Sequence, residues 1–356
     1  MVEQDQQSSN GTISLVVKAV IVETADTKSF VLSSRDKHHQ VPDYKAGQFL
    51  TFIFTRSNGE EVRRNYSISS SPVLDEPLTI TVKRIANGEF SRYLCDIVQA
   101  GDELKVLGAA GFFLLPASTQ SINQLFFFAA GSGITPVISL IKTALFENPE
   151  QRLVLLYSNK KKATTIFYDK LIALQDQYPG RLIIQFIFST TVNLLTARLN
   201  AHFLGTIIAS HQQFPDEQVL FYVCGPLDYM RLVTIFLQTS GVPATHIRKE
   251  IFQIEQPTKR PQPPDQDEHK VTLHYHNSTY NFTAKYPTTI LQAAKQQGIK
   301  IPYSCESGQC GTCVARCTSG KVWMYNNEVL TDDELGKGLV LTCTGFPIAG
   351  DVSLDV

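Results

Sequence analysis

The chain has 356 residues, of which 32 are basic and 33 acidic, so its formal net charge of -1 creates no global field toward nucleic acid or an anionic membrane. Hydrophobic residues at 43% and charged residues at 18% describe a folding chain and exclude disorder and fibrous composition. The length exceeds a single ordinary core, which predicts two or three domains.

No apolar run reaches the roughly 18 residues that span a bilayer. The opening MVEQDQQSSN lacks the charged-then-apolar order of a secretion signal, and a cytoplasmic protein is expected. Seven cysteines are an odd number, and four of them follow a cluster spacing, which fits a reducing compartment better than a disulfide framework.

In chain order, short β-rich runs come first: SLVVKAVIV (14–22), QFLTFIF (48–54), LTITVKRI (78–85) and ELKVL (103–107). Turn residues separate them, which predicts an antiparallel β-barrel over 12–117, interrupted by one helical stretch, FSRYLCDIV (90–98). The pattern then changes to buried apolar strands alternating with helical stretches: LFFFAA (125–130), RLVLLYS (152–158), RLIIQFIF (181–188) and VLFYVC (219–224). That alternation predicts an α/β parallel sheet over 118–253. Residues 254–270 hold four prolines and almost nothing apolar, and read as a semi-stiff linker. A small α+β unit is expected over 271–356, with strands near VTLHYH and TYNFTA and a helix around TILQAAKQQ that stops at Gly298.

The strongest chemical signal lies in that last unit. Cys305, Cys310 and Cys313 stand as C-x4-C-x2-C, with 29 residues between Cys313 and Cys343, the plant-type 2Fe-2S spacing. Four thiolates are needed because each iron takes two protein sulfurs beside the bridging sulfides. Small residues between them, Ser307, Gly308, Gly311 and Thr312, let a loop wrap closely and aim N–H groups at sulfur. A structural zinc site is the alternative, although such sites usually present paired C-x2-C knuckles. Cys95 and Cys317 fall outside the spacing and read as small buried hydrophobes.

Two further segments carry polar chemistry. Arg64, Tyr66 and Ser67 combine a cation for a pyrophosphate, an aromatic face for an isoalloxazine ring and a hydroxyl for a ring nitrogen. Gly88 and Ser91 open a helix, where free backbone N–H groups and the dipole favour phosphate. After the first strand of the second domain, Gly131, Gly133, Thr135 and Pro136 form a strand–turn–helix of the kind that approaches a dinucleotide pyrophosphate. Cys224, Gly225 and Pro226 end a later parallel strand, at the edge where open α/β sheets bind ligands. Lys160, Lys161 and Lys162 follow the second strand and could grip a ribose 2′-phosphate, which favours NADPH over NADH.

Taken together, these segments resemble the ferredoxin-NADP reductase family, extended by a plant-type ferredoxin domain of β-grasp fold. The resemblance implies FAD at Arg64, Tyr66, Ser67, Val82, Gly88 and Ser91, with FMN as the alternative. It places nicotinamide coenzyme at Gly131, Gly133, Thr135, Pro136, Gly225 and Pro226, and puts Tyr66, Ser67 and Cys224 where hydride moves. It also sets Glu250 and Phe252 of RKEIFQ near the flavin. Cys305 and Cys310 would hold the outer iron, and Cys313 and Cys343 the inner one. Ala109 departs from the proline that many members carry.

Hydride carries two electrons and a 2Fe-2S cluster takes one, so a flavin stable when half-reduced must stand between them. The order of modules resembles reductase components of multicomponent oxygenases, among them those of phenylacetyl-coenzyme A epoxidases, which share the pattern of Asn159, Ala163 and Phe167. That implies a diiron oxygenase partner. Reductases of other hydroxylase, desaturase or Rieske systems share the modules, and a flavin and iron–sulfur redox sensor is the reading of another class.

Overall fold

The first strands alternate as a sheet with one buried face must. In β1 (Ile13–Thr24) Leu15 and Val17 are buried while Lys18 is exposed. With β2 (Thr27–Ser34), β3 (Phe49–Thr55), β4 (Glu61–Ser67), β5 (Thr79–Lys83) and β6 (Glu103–Ala110), it forms a sheet of order β4-β3-β6-β1-β2-β5. The two ends of that order meet where Ile68 bridges Ile80 and the Ser69 N–H donates to the Thr79 carbonyl at 2.8 Å, which closes the barrel. Phe30, Leu50, Phe52 and Ile80 fill it, joined by Phe90 and Leu94 of α1 (Glu89–Asp96). This is the computed structural model of the chain, and it describes residues 12–35, 41–116, 122–191, 198–252 and 260–356. The expected boundary at 117–118 and linker residues 254–259 lie outside the described residues.

The second domain is built on β7 (Gln124–Ala130), β8 (Arg152–Asn159), β9 (Leu182–Phe188), β10 (Val219–Cys224) and β11 (Ile247–Glu250). All their pairings are parallel, in the order β11-β10-β7-β8-β9. Every residue of β7 and β10 is buried, as strands covered on both faces require. On one face Phe127 and Ala129 pack with α2 (Ile134–Glu147) and α3 (Tyr168–Gln177) through Ile138, Ile141 and Leu171. On the other, Phe126 and Phe128 meet α4 (Ala201–His211) and α5 (Leu227–Thr239) through Leu204 and Val233. The strand order reverses between β7 and β10, so their carboxyl ends flank the crevice where such sheets bind ligands. Barrel and parallel sheet fold as one unit, residues 13–109 with 113–253.

The other unit is built mainly from 254–356. Its mixed sheet runs β13-β12-β16-β14-β15, from β12 (His269–Tyr275), β13 (Ser278–Ala284), β14 (Val314–Met324), β15 (Leu339–Leu341) and β16 (Gly345–Asp355). A helix, α6 (Ile290–Gln296), begins in a capping box of Thr289 and Gln292 and packs Leu291 and Ala294 against Val271 and Leu354. A short α7 (Asp332–Gly336) starts in a second such box, of Thr331 and Glu334.

Two expectations are corrected here. The linker reading runs too far: His269 and Lys270 already pair in β12, Pro263 is buried, and Asp265 accepts the Ala349 N–H at 2.6 Å and His269 Nε2 at 2.8 Å. One carboxylate with several donors ties a segment that composition alone describes as free. Cys317 is half-buried, not buried, because β14 shifts register between Cys317 and Ser319 and turns the thiol toward the Ser319 carbonyl at the rim of the core.

Candidate functional site

The end of β4 and the end of β11 are joined by one hydrogen bond, from Ser67 Oγ to Glu250 Oε1 at 2.8 Å. Ser67 is 3% exposed and Glu250 8%, so the bond lies in a nearly dry place. In β11 Glu250 is in parallel register with Cys224 of β10, which is in register with Ala129 of β7. Beside it, a methyl group at Gly133 would run into the carbonyl of Cys224, so the turn after β7 rests directly on the end of β10. The chain brings Gly133, Cys224, Glu250 and Ser67 together beside the sheet's switch point, with Tyr66 next to Ser67 on the barrel strand.

Burial sets the electrostatics of this group. Glu250 is pushed up to about 8 because the charged carboxylate loses its water, and the Ser67 hydroxyl offsets only part of that. At pH 7 its carboxyl is therefore mainly neutral. Burial also pushes the Cys224 thiol well above its ordinary range, with Glu250 adding to the effect, so Cys224 is a neutral thiol and no nucleophile.

On the flavin side, Tyr66 is partly exposed, its ring edge-on to Phe52 at 5.8 Å and stacked on Phe90 at 6.0 Å. Arg64, two residues earlier on the same strand, is exposed and donates through Nη1 to the Arg63 carbonyl at 2.8 Å. Gly88 is the N-cap of α1 with no side-chain cap, so the first N–H groups of that helix are not taken by a side chain. Ser91 spends its hydroxyl inside the turn, donating to the Gly88 carbonyl at 3.0 Å and accepting from the Ile85 N–H at 3.3 Å. Its hydroxyl is thus taken up within the turn. Val82 departs further from its expected role: it is 0% exposed in the barrel core and offers no side-chain surface to a cofactor.

On the nicotinamide side, α2 starts directly from the Gly131–Gly133 turn, again with no side-chain cap. Tyr157 Oη donates to the Gly131 carbonyl at 2.9 Å and Thr135 Oγ1 to the Ser132 carbonyl at 3.0 Å, while Pro136 is buried in the first turn, where its missing N–H costs nothing. The glycine at 133 is thus required by the neighbouring strand, whereas the sequence pattern attributes it to the ligand. Gly225 is half-buried and Pro226 is the N-cap of α5. Lys160, Lys161 and Lys162 are exposed, and Lys162 already lies over the Tyr168 ring at 4.4 Å.

Two residues escape a reading of the sequence: Ser158 Oγ, near the end of β8, and Tyr229 Oη, in the first turn of α5, are buried at this edge and have each other as polar partner. The available signal is positional: Ser158 stands at the carboxyl end of a parallel strand, and Tyr229 follows Gly225 by one helical turn.

In the carboxyl-terminal unit, Cys305 is within interaction range of Cys310 and Cys343, and Cys343 of Cys313. The four thiols thus form one linked chain, Cys310–Cys305–Cys343–Cys313, which suits a core spread over two irons. Cys305 and Cys310 are each 8% exposed, Cys313 3% and Cys343 4%. Gly308 has a left-handed φ of 78° and faces the Asn326 carbonyl too closely for a side chain. Asn326 Nδ2 donates to the Ser307 carbonyl at 2.7 Å, and the Ser307 amide and hydroxyl both reach Cys305.

Known proteins agree with this geometry domain by domain. Residues 12–114 match the oxidoreductase FAD-binding domain, 127–234 the oxidoreductase NAD-binding domain and 273–347 the 2Fe-2S iron-sulfur cluster binding domain. Over 352 residues the chain is 33% identical to the ferredoxin reductase component of 3-ketosteroid-9-alpha-monooxygenase from Rhodococcus rhodochrous, covering 97% of each chain. The chain belongs to the flavin- and 2Fe-2S-dependent reductases of oxygenase systems. It is also 33% identical to a component of the 1,2-phenylacetyl-CoA epoxidase from Escherichia coli (strain K12), over 96% of this chain and 97% of that one. Among solved structures, phthalate dioxygenase reductase superposes with a TM-score of 0.60 at 25% identity, covering 97% of this chain and 98% of that one. As a reductase of this family, the chain uses NAD(P)H, FAD and a 2Fe-2S cluster. Among the described residues no helix is long and apolar enough to cross a membrane.

The neutral Glu250 has a testable cost. A carboxyl that holds its proton to about pH 8 in the fold, but only to about 4.5 when unfolded, binds more protons folded than unfolded between those values, so stability falls as pH rises through that window. The penalty is absent below about 4.5 and complete above about 8, by no more than roughly 5 kcal/mol. Denaturant titrations from pH 5 to 8.5 should show the wild type losing stability relative to Glu250→Gln, and parallel curves would show that Glu250 is not held neutral.

Proposed function

We propose that hydride enters this reductase at the group formed by Tyr66, Ser67, Glu250 and Cys224, and that single electrons leave through Cys305, Cys310, Cys313 and Cys343. The observation that carries this reading is the Ser67–Glu250 hydrogen bond, which joins the flavin strand to the carboxyl edge of the nicotinamide sheet, one strand from its switch point. Bound FAD supplies the conversion from two-electron to one-electron transfer, and the 2Fe-2S cluster the single-electron outlet.

The residues have separable duties. Tyr66 offers a ring face, and Ser67 a hydroxyl whose direction Glu250 controls. Arg64 and the uncapped start of α1 at Gly88 hold the flavin's pyrophosphate, while the uncapped start of α2 and the edge at Gly225 and Pro226 receive the coenzyme. Cys224 keeps that edge dry and uncharged. Lys160 and Lys161 meet the 2′-phosphate in this reading, supported by their exposure next to the end of β8, and this favours NADPH.

The acceptor is an oxygenase. We assign it to a diiron complex that epoxidises the ring of an aromatic coenzyme A thioester, supported by the similarity to the epoxidase component across nearly the full chain. A steroid hydroxylase is the second reading, supported by a relative of equal identity.

Three measurements test these assignments. Cys310→Ser should bring cytochrome c reduction to background while NAD(P)H still bleaches the flavin at the wild-type rate, and equal loss of both would sink the division of labour. Lys161→Ala should raise the KM for NADPH by roughly an order of magnitude and leave that for NADH nearly unchanged, whereas equal change would remove the 2′-phosphate role. Finally, the purified reductase should support NAD(P)H-driven epoxidation when mixed with a phenylacetyl-CoA oxygenase complex, and turnover only with a 3-ketosteroid hydroxylase would transfer the assignment to the second reading.

A further inference from the structure

The residues that follow Tyr66 and Ser67 form a run of serines that helps hold the barrel to the nicotinamide domain. Ser139 Oγ of α2 donates to the Ser70 carbonyl at 2.6 Å. Thr143 Oγ1, one turn further along α2, shares a hydrogen bond of 2.7 Å with Ser71 Oγ. Between them Lys142 pairs with Glu76, whose same oxygen accepts the Ser71 N–H at 2.8 Å. Ser139, Lys142 and Thr143 have the spacing of one helix face.

A second path leaves from Ser69. Its hydroxyl is 2.8 Å from Thr81 Oγ1, which is 2.8 Å from Ser29 Oγ. Ser29 donates to Glu23 Oε1 at 2.7 Å, and Lys170 of α3 donates to the same oxygen at 2.8 Å. Ser29, Ser69, Ser71, Ser139, Thr81 and Thr143 are all buried.

A seam of this composition behaves differently from an apolar one. Apolar surfaces tolerate sliding, whereas hydrogen bonds weaken steeply with distance and angle, and each buried hydroxyl left unpaired carries a penalty. Only one relative placement of the barrel and α2 satisfies all these groups. Both arms from seam to site are short: Ser71 is four residues from Ser67, and Ser139 is four residues, one helical turn, from Thr135.

We propose that Ser70, Ser71 and Glu76, clasped by Ser139, Lys142 and Thr143, are positioning residues that set the distance at which the nicotinamide pocket meets the flavin face. They act through Tyr66 and Ser67 on one side and the start of α2 on the other. Hydride transfer is steep in donor–acceptor distance, so a small loosening of the seam should slow it while leaving binding nearly intact.

The full-length holoenzyme tests this, by anaerobic stopped-flow reduction of its flavin. In Ser139→Ala/Thr143→Val the limiting rate at saturating NAD(P)H should fall by roughly tenfold or more, and the long-wavelength charge-transfer absorbance should weaken. Flavin content should be unchanged and the apparent Kd for coenzyme should stay within about twofold. Thr143→Ser, which keeps the hydroxyl, should retain the wild-type rate. A wild-type rate and absorbance in the double variant, with only a lower unfolding temperature, would reduce the seam to a rivet and overturn the proposal. If the double variant does not fold, Ser139→Ala alone is read by the same criteria. The proposal rests on the hydride site assigned above, and the two fail separately. A Ser67→Ala rate equal to wild type would remove that site, whereas a wild-type rate in the seam variants removes only the positioning.

Discussion

A hydroxyl donating to a buried, mainly neutral carboxyl holds the centre of this reductase together. Ser67 ends a barrel strand, Glu250 ends the last strand of a parallel sheet, and 183 positions separate them in sequence. Because the carboxyl is mainly protonated at pH 7, the contact needs no counter-ion and leaves no strong field at the edge to which the coenzyme is assigned above. Cys224, also neutral, continues the same low-polarity surface. Charge is kept to the periphery, at the exposed Arg64 and the exposed lysines after β8.

This distribution follows from the two architectures that meet there. A barrel strand presents alternate side chains to core and surface, so Tyr66 and Ser67 point in different directions and can serve ring and hydrogen bond separately. A parallel sheet gathers the ends of distant strands along one edge, so the turn after β7, the end of β10 and the end of β11 converge without any one segment being specialised for the task. The 2Fe-2S unit works on the opposite plan: three of its four cysteines come from one loop, and that loop is shaped by left-handed glycines and buttressed by Asn326.

That contrast explains what could be read before the fold was known. Cys305, Cys310, Cys313 and Cys343 were legible because their chemistry is written in spacing. The three architectures were legible too, since the period of apolar residues changes near 117 and again after 270. The Ser67–Glu250 bond was not, because nothing local marks two residues so far apart as partners. Val82 entered only through the family resemblance, and strand position alone does not tell which face of a barrel a valine occupies. The hydroxyls of Ser91 and Thr135 turn back onto nearby carbonyls, a local competition that short polar side chains often settle in favour of the backbone and that the sequence does not show. Asp265, read as part of a tether, is a tie point because its donors come from Ala349 and His269.

Gly133 changes how damage at this position should be interpreted. What excludes a side chain there is the carbonyl of Cys224, a fixed part of the protein whether or not coenzyme is present. A natural or engineered variant at 133 would be a folding variant with a binding phenotype: scarce protein in the cell, partially rescued by low growth temperature, and not a well-made enzyme short of affinity. Efforts to retune coenzyme preference would do better to leave this turn alone and work at the exposed lysines, where the backbone makes no demand.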